Sequence, residues 1–141
     1  MANRDVQKHI TSKNELDSLR RLIARDMKDA ALVGLSADRR FATSYNAVLQ
    51  TANMAIACSG YRVTAKLGHH QVALDCMRLI FGSSIDPVAD YFEACRRKRN
   101  VIDYMHSHIA SESEADEMLD QAKRFLLRTE EWIAKHHPSI R

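Results

Sequence analysis

The chain has 141 residues, 45% hydrophobic and 28% charged, with a formal net charge of +3. That is ordinary composition for one globular domain spanning 1–141, and it argues against disorder. The mild positive charge is compatible with a nucleic-acid partner without requiring one, since phosphate affinity comes from local basic clusters. With 4 Gly and 2 Pro, the chain has few residues for the tight turns of a sheet protein, and long helices are expected. The opening MANRDVQKHI lacks the apolar core of a secretory signal. No stretch approaches the roughly 18–20 apolar residues of a spanning helix. Both features are those expected of a cytoplasmic protein with no membrane partner.

In chain order, Ser12 opens S-K-N-E, a capping box with Glu15. Leu16, Leu19, Ile23, Met27 and Ala30 follow at helical spacing, and Gly34 closes the segment. A second helix is predicted from about Asp38 to Ser59, with a stripe including Phe41, Tyr45, Val48, Ala52 and Ile56, ended by Gly60. YRVTAKLGHH reads as a connector bending at Gly68. His70 or Gln71 starts a shorter helix carrying Val72, Leu74, Met77 and Ile80, which stops near Gly82. Asp86-Pro87 reads as an N-cap followed by a first-position proline, and the helix it starts is predicted to reach about Ile109. Ser111 and Glu114 form a second capping box before a last helix carrying Met118, Ala122, Phe125, Leu126, Trp132 and Ile133. Short connections make sequential helices antiparallel neighbours. The expected fold is therefore all-α, an up-and-down bundle of four to five helices with its core over about residues 12–135.

The fourth long helix breaks its own pattern. With Val88 at zero and about 100° per residue, Tyr91, Phe92, Cys95, Ile102 and Ile109 fall between about 300° and 40°. Arg99, at about 20°, and His106, at about 0°, fall in the middle of that apolar stripe. Arg96, Arg97 and Lys98 scatter to the flanks and the far side. A desolvated guanidinium without a partner costs several kcal/mol. Arg99 must therefore pair with an acid, reach a water-filled cleft or face a second subunit. Asp103, one turn on, is the nearest acidic candidate. Arg99 and His106 stand roughly 10 Å apart along the axis, a span that a phosphodiester group can bridge. Two readings stay open: a structural Arg99–Asp103 pair with a core-edge His106, or a phosphate-binding pair.

Cys58, Cys76 and Cys95 form no C-x-x-C pair and read as free, partly buried thiols. Among the 7 histidines, His69–His70 and His136–His137 are adjacent and His106–His108 are two apart, so no pair has the helical spacing that directs two rings at one metal. No Gly-rich phosphate loop is present, and neither a metal nor a cofactor is expected.

FATSYNAVLQTANMAIACSGYRVTAKLGHH resembles the second helix of HEPN domains and the loop after it, through Tyr45, Ala47, Ala52, Ala55, Gly60 and His69–His70. RRKRNVIDYMH resembles the HEPN signature, an Arg, a polar residue (often Asn) and then His after four to six positions, matched by Arg99, Asn100 and His106. The resemblance spans about residues 12–135, within a bacterial branch marked by GYR, GHH and RRKRN. It implies a metal-independent endoribonuclease of toxin–antitoxin or defence type. Arg99 would hold the scissile phosphate, His106 would serve as general acid or base, and Asn100 would orient the backbone or the His. Arg96, Arg97, Asp103 and Tyr104, with His69 and His70 lining the same cleft, would contact RNA or a nucleotide. The resemblance further implies a homodimer with two motifs meeting at a two-fold axis, and an antitoxin partner such as a small nucleotidyltransferase. In the branch paired with a nucleotidyltransferase the pattern is Arg, four residues, His, one residue, Tyr. Here Tyr104 and His106 exchange those places. Other HEPN domains do not cleave and act as nucleotide-, RNA- or protein-binding modules, which is the alternative the resemblance carries.

Overall fold

Helix dominates the chain. The computed structural model describes residues 5–64, 67–104 and 108–141, and at positions 103 and 104 the backbone alone. In chain order come β1 (Val6–Lys8), α1 (Lys13–Ala30), α2 (Ala37–Cys58), β2 (Tyr61–Val63), α3 (His69–Phe81), a short 3-10 turn (Ser83–Ile85), α4 (Asp86–Tyr104) and α5 (Glu112–His136).

Serines start three of these helices. The hydroxyls of Ser12, Ser36 and Ser111 accept from the backbone N–H groups of Glu15, Arg39 and Glu114 at 3.2, 3.2 and 3.1 Å. At Ser111 the box is complete, because the Glu114 carboxylate accepts from the Ser111 N–H at 2.9 Å. At Ser12 it is half made. Glu15 instead sits 2.7 Å from the His9 imidazole and accepts from the Thr11 hydroxyl, also at 2.7 Å.

That diversion belongs to a feature absent from the all-α expectation. β1 and β2 form a two-stranded antiparallel sheet, with Val6 opposite Val63 and Lys8 opposite Tyr61. The left-handed Gly60 (φ +93°) turns the chain out of α2, and its carbonyl accepts from the His9 N–H at 2.9 Å. Each strand is three residues long, too short for an alternating pattern to register, and the pairing joins segments more than fifty positions apart.

Two further expectations need correction around α4. Asp86 is already helical, at φ −52° and ψ −44°, and follows the 3-10 turn instead of capping from an extended conformation. The helix also does not reach Ile109, since His108 has φ +65° and Ile109 is non-helical. The cause lies on another helix. The carboxylate of Asp38, on α2, accepts from the N–H groups of Ile109 and Ala110 at 2.9 and 2.7 Å, taking donors that a continuing helix would use. His106 lies outside the described residues.

α2 runs through the middle of the molecule and contacts α1, α3, α4, α5 and β2. Phe41, Tyr45, Val48, Ala52 and Ile56 are all buried, in one cluster with Leu74, Met77, Phe92, Met118 and Phe125. Ala47, Met54 and Ala57 join Leu16, Ile23 and Ile133 on the opposite side. Charged side chains fasten the outer helices. Arg20 on α1 grips Glu130 on α5 through two bonds of 2.7 Å. Arg40 donates to the Ala30 carbonyl at 2.8 Å and pairs with Glu112 and Asp116. Among the described residues, no helix is long and apolar enough to cross a membrane.

Asp38 supplies the test of this arrangement. Asp38→Ala is expected to lower unfolding free energy by about 1–3 kcal/mol, because it strands two N–H groups, one of them on the buried Ala110. Asp38→Asn should recover part of the loss through its amide oxygen. Urea unfolding measures both, and an unchanged midpoint for Asp38→Ala would show that the carboxylate does not hold this connection.

Candidate functional site

The basic run on α4 is divided by its neighbours. Arg96 lies 3.6 Å from Glu93, and Glu93 also accepts from Gln71 on α3 at 2.7 Å. Lys98 pairs with Glu114 at the start of α5 and sits 6.0 Å from the Phe41 ring centre. Both cations are thereby tied into the scaffold. Arg97 and Asn100 are exposed and line neither of the clefts described below.

Arg99 is placed differently. It is half-buried, with its guanidinium carbon 5.7 Å from the centre of the Tyr45 ring. An aromatic face attracts a cation by its quadrupole. Tyr45 itself is fully buried. Burial pushes its hydroxyl well above the ordinary phenol range, against the opposing pull of Arg96 and Arg99, so it is neutral at any physiological pH. On another side of the same ring stands His70, 5.7 Å away, and His70 meets His69 edge to face at 4.3 Å. Tyr45 on α2 thus spaces Arg99 on α4 from the histidine pair on α3.

Two clefts open beside this array. Arg99 lines one of about 510 Å³, together with Asp38, Arg39, Thr43, Asn46 and Ile102. His69 and His70 line a larger one of about 770 Å³, with Asn46, Gln50, Asn53 and Arg62. The histidine pair therefore borders the neighbouring cleft instead of the one at Arg99, and Asn46 belongs to both. His106 and the side chains of Asp103 and Tyr104 lie outside the described residues.

Arg39, Thr43 and Asn46 did not stand out from the sequence. They recur at i, i+4 and i+7, which a helical wheel would place on one line, but that line reads equally as a solvated helix face. Only the walls supplied by α4 and the loop before α2 make it the floor of a cleft. Chemically, the smaller cleft offers two guanidinium groups, a hydroxyl and an amide beside one carboxylate, that of Asp38, which already accepts from the Ile109 and Ala110 N–H groups. The donors suit a phosphate or other polar anion. Neither Arg39, Thr43 nor Asn46 has a side-chain hydrogen-bond partner among the described residues.

Cysteine chemistry has no place here. Cys58, Cys76 and Cys95 are buried and in no disulfide, and burial pushes each thiol up to about 11. Among the described residues, no group of three His, Cys, Asp or Glu could hold a metal ion.

Two measurements check these environments. With each thiol near 11, about one part in ten thousand is thiolate at neutral pH. Iodoacetamide is therefore expected to leave the folded protein unlabelled at pH 7 and to label all three cysteines in urea. Labelling of the native state within minutes would contradict their burial. The Tyr45 hydroxyl, buried with no hydrogen-bond partner among the described residues, contributes nothing that Phe cannot replace. Tyr45→Phe should leave stability within about 1 kcal/mol of wild type, or raise it. A larger loss on urea unfolding would reveal a partner for the hydroxyl. The chain matches no family model, no curated protein and no solved structure.

Proposed function

We propose that this chain is a HEPN-like helical bundle that binds RNA at the Arg99 cleft and cleaves it without a metal. The observation that carries the reading is the cleft itself: Arg99 lies against Tyr45 with Arg39 on the same open space. Two guanidinium groups at one concave site, with the Thr43 hydroxyl and Asn46 amide beside them, suit a phosphodiester better than a neutral ligand.

In the reaction, the ribose 2′-hydroxyl attacks the adjacent phosphorus and the P–O bond to the next nucleoside breaks. The products are a strand ending in a cyclic phosphate and a strand beginning with a free hydroxyl. Arg99 holds the non-bridging oxygens, where negative charge builds up. His106 removes the proton of the attacking hydroxyl or supplies one to the departing oxygen. Asn100 takes its role from the resemblance, orienting the backbone or the histidine. The exposed outer side of α4, with Arg97, Asn100 and a Val101 that is 41% exposed, is the surface on which a second copy would bring two motifs together about a two-fold axis. A toxin or defence role in the cytoplasm follows from the same resemblance, with an antitoxin such as a small nucleotidyltransferase as partner.

A second reading has its own support in the order of residues after Arg99. Relative to the nucleotidyltransferase-paired pattern, Tyr104 and His106 stand exchanged. A domain so altered could keep phosphate binding through Arg99 and Arg39 without the proton transfer, as a nucleotide-, RNA- or protein-binding module.

Incubation of RNA with the protein in excess chelator separates the two. The cleavage reading expects fragments ending in cyclic phosphate, with rates falling by at least about a hundredfold in Arg99→Ala and in His106→Ala. It also expects growth arrest on overexpression, relieved by either substitution. Intact RNA with binding that still depends on Arg99 would select the binding module. Intact RNA without such binding would defeat both.

A further inference from the structure

α2 is covered on most of its circumference, and along the side that stays open runs a row of polar residues, bordered by Ala42 and Leu49. Arg39, Thr43, Asn46, Gln50 and Asn53 follow one another at alternating steps of four and three. At about 100° per residue they fall within about 40° of the direction of Arg39, along a line of about 21 Å. Arg39, Thr43 and Asn46 line the smaller cleft, Asn46, Gln50 and Asn53 line the larger, and Asn46 joins them. The line is thus the common floor of two hollows, not a ridge in open water.

Its composition is not that of a helix face selected for solvation alone. Such a face favours Lys, Glu and Gln, which are good helix formers, whereas Asn and Thr are among the weaker ones. No Lys or Glu occurs anywhere in α2. Three amides stand in a row instead, with a Gln50–Asn53 contact of 3.4 Å as their one side-chain hydrogen bond among the described residues. An amide offers a donor and an acceptor side by side, the pattern of a nucleobase edge. Flat rings border the same hollow, from His69, His70 and Tyr61, the last 41% exposed. Its volume of about 770 Å³ falls within the range of small-ligand sites.

We infer that the open face of α2 is a base-reading track, on which the strand held by its phosphate at Arg39 and Arg99 continues past Asn46 so that Gln50 and Asn53 take the edges of its unpaired bases. This rests on the RNA reading of the Arg99 cleft and adds to it a second subsite and a requirement for single strands. Base edges are occupied in a duplex, and the deep groove of A-form RNA keeps side chains from them. The ring-bearing wall of the larger cleft offers stacking surfaces to the same bases.

The test uses the full chain and an uncleavable 2′-O-methyl oligonucleotide of about ten residues, a length in the range that single-strand sites span. It is titrated alone and annealed to its complement, and fluorescence anisotropy reads the binding. The double substitution Gln50→Ala with Asn53→Ala is expected to weaken single-strand binding about tenfold, with the salt dependence unchanged. Arg99→Ala should weaken binding and reduce the salt slope by about one. Wild type should prefer the single strand to the duplex by about tenfold or more, and the double variant should lose most of that preference. Alanine is the better helix former, so α2 is expected to persist in the double variant, and circular dichroism verifies it. Wild-type affinity in the double variant, with Arg99→Ala still impaired, overturns the track and leaves the RNA reading standing. Equal affinity for duplex and single strand overturns base reading. Binding indifferent to Arg99→Ala overturns the RNA reading of the cleft itself.

Discussion

The crowding around α2 is the constraint on which the rest of the structure depends. Four helices and a strand press on one 22-residue helix, and close approach from so many directions requires small side chains. Ala47, Ala52, Ala55 and Ala57 meet that need, with Ser44 and Thr51 buried among them. Thr51 satisfies its hydroxyl locally by donating to the Ala47 carbonyl at 2.8 Å. A helix so enclosed keeps one open line, and whatever stands on that line becomes a site by geometry. The clefts at Arg99 and at His69–His70 are both consequences of which side of α2 was left uncovered.

Electrostatics then decides which cations remain with the scaffold. Arg96 and Lys98 each meet a carboxylate, on their own helix and on α5 respectively. Arg20, Arg40 and Arg78 likewise bridge to acids, and in each the hydrogen bonds donated to those carboxylates raise the guanidinium above its ordinary value. Such pairs fasten helices in register but leave little charge for a ligand. Arg99 lies against the Tyr45 ring, whose face attracts a cation by its quadrupole. The burial of Tyr45 therefore has a role beyond core packing: its ring supports Arg99 on one side and touches His70 on another, linking α2, α3 and α4 at the point where the clefts adjoin.

Asp38 shows how a local feature of one helix sets the end of another. Periodicity alone carries α4 to Ile109, because an apolar residue there extends the stripe. The structure ends the helix earlier because a carboxylate in the first turn of α2 captures the N–H groups of Ile109 and Ala110. The left-handed His108 is part of the same change of direction. An acid near a helix N-terminus is ordinary in sequence, and nothing in its neighbours reveals that its acceptors serve a connection more than seventy residues away.

By itself, the sequence determined the elements whose causes are local. Helix starts at Ser12 and Ser111, the break at Gly60 and the stripes of α1, α2 and α5 follow from hydrogen bonds and spacings within a few residues. It also singled out Arg99, because a guanidinium on an apolar stripe needs a compensating environment whatever the fold. Tertiary structure alone decided what that environment includes: the ring of Tyr45, fifty-four positions earlier, and an open cleft that Asp38 also lines. It likewise decided the β1–β2 pairing and the separation of the histidine pair into the adjoining hollow. These features come from contacts between segments distant in the chain. Their partners are chosen by which surfaces meet when the core closes, and no short-range pattern encodes that choice.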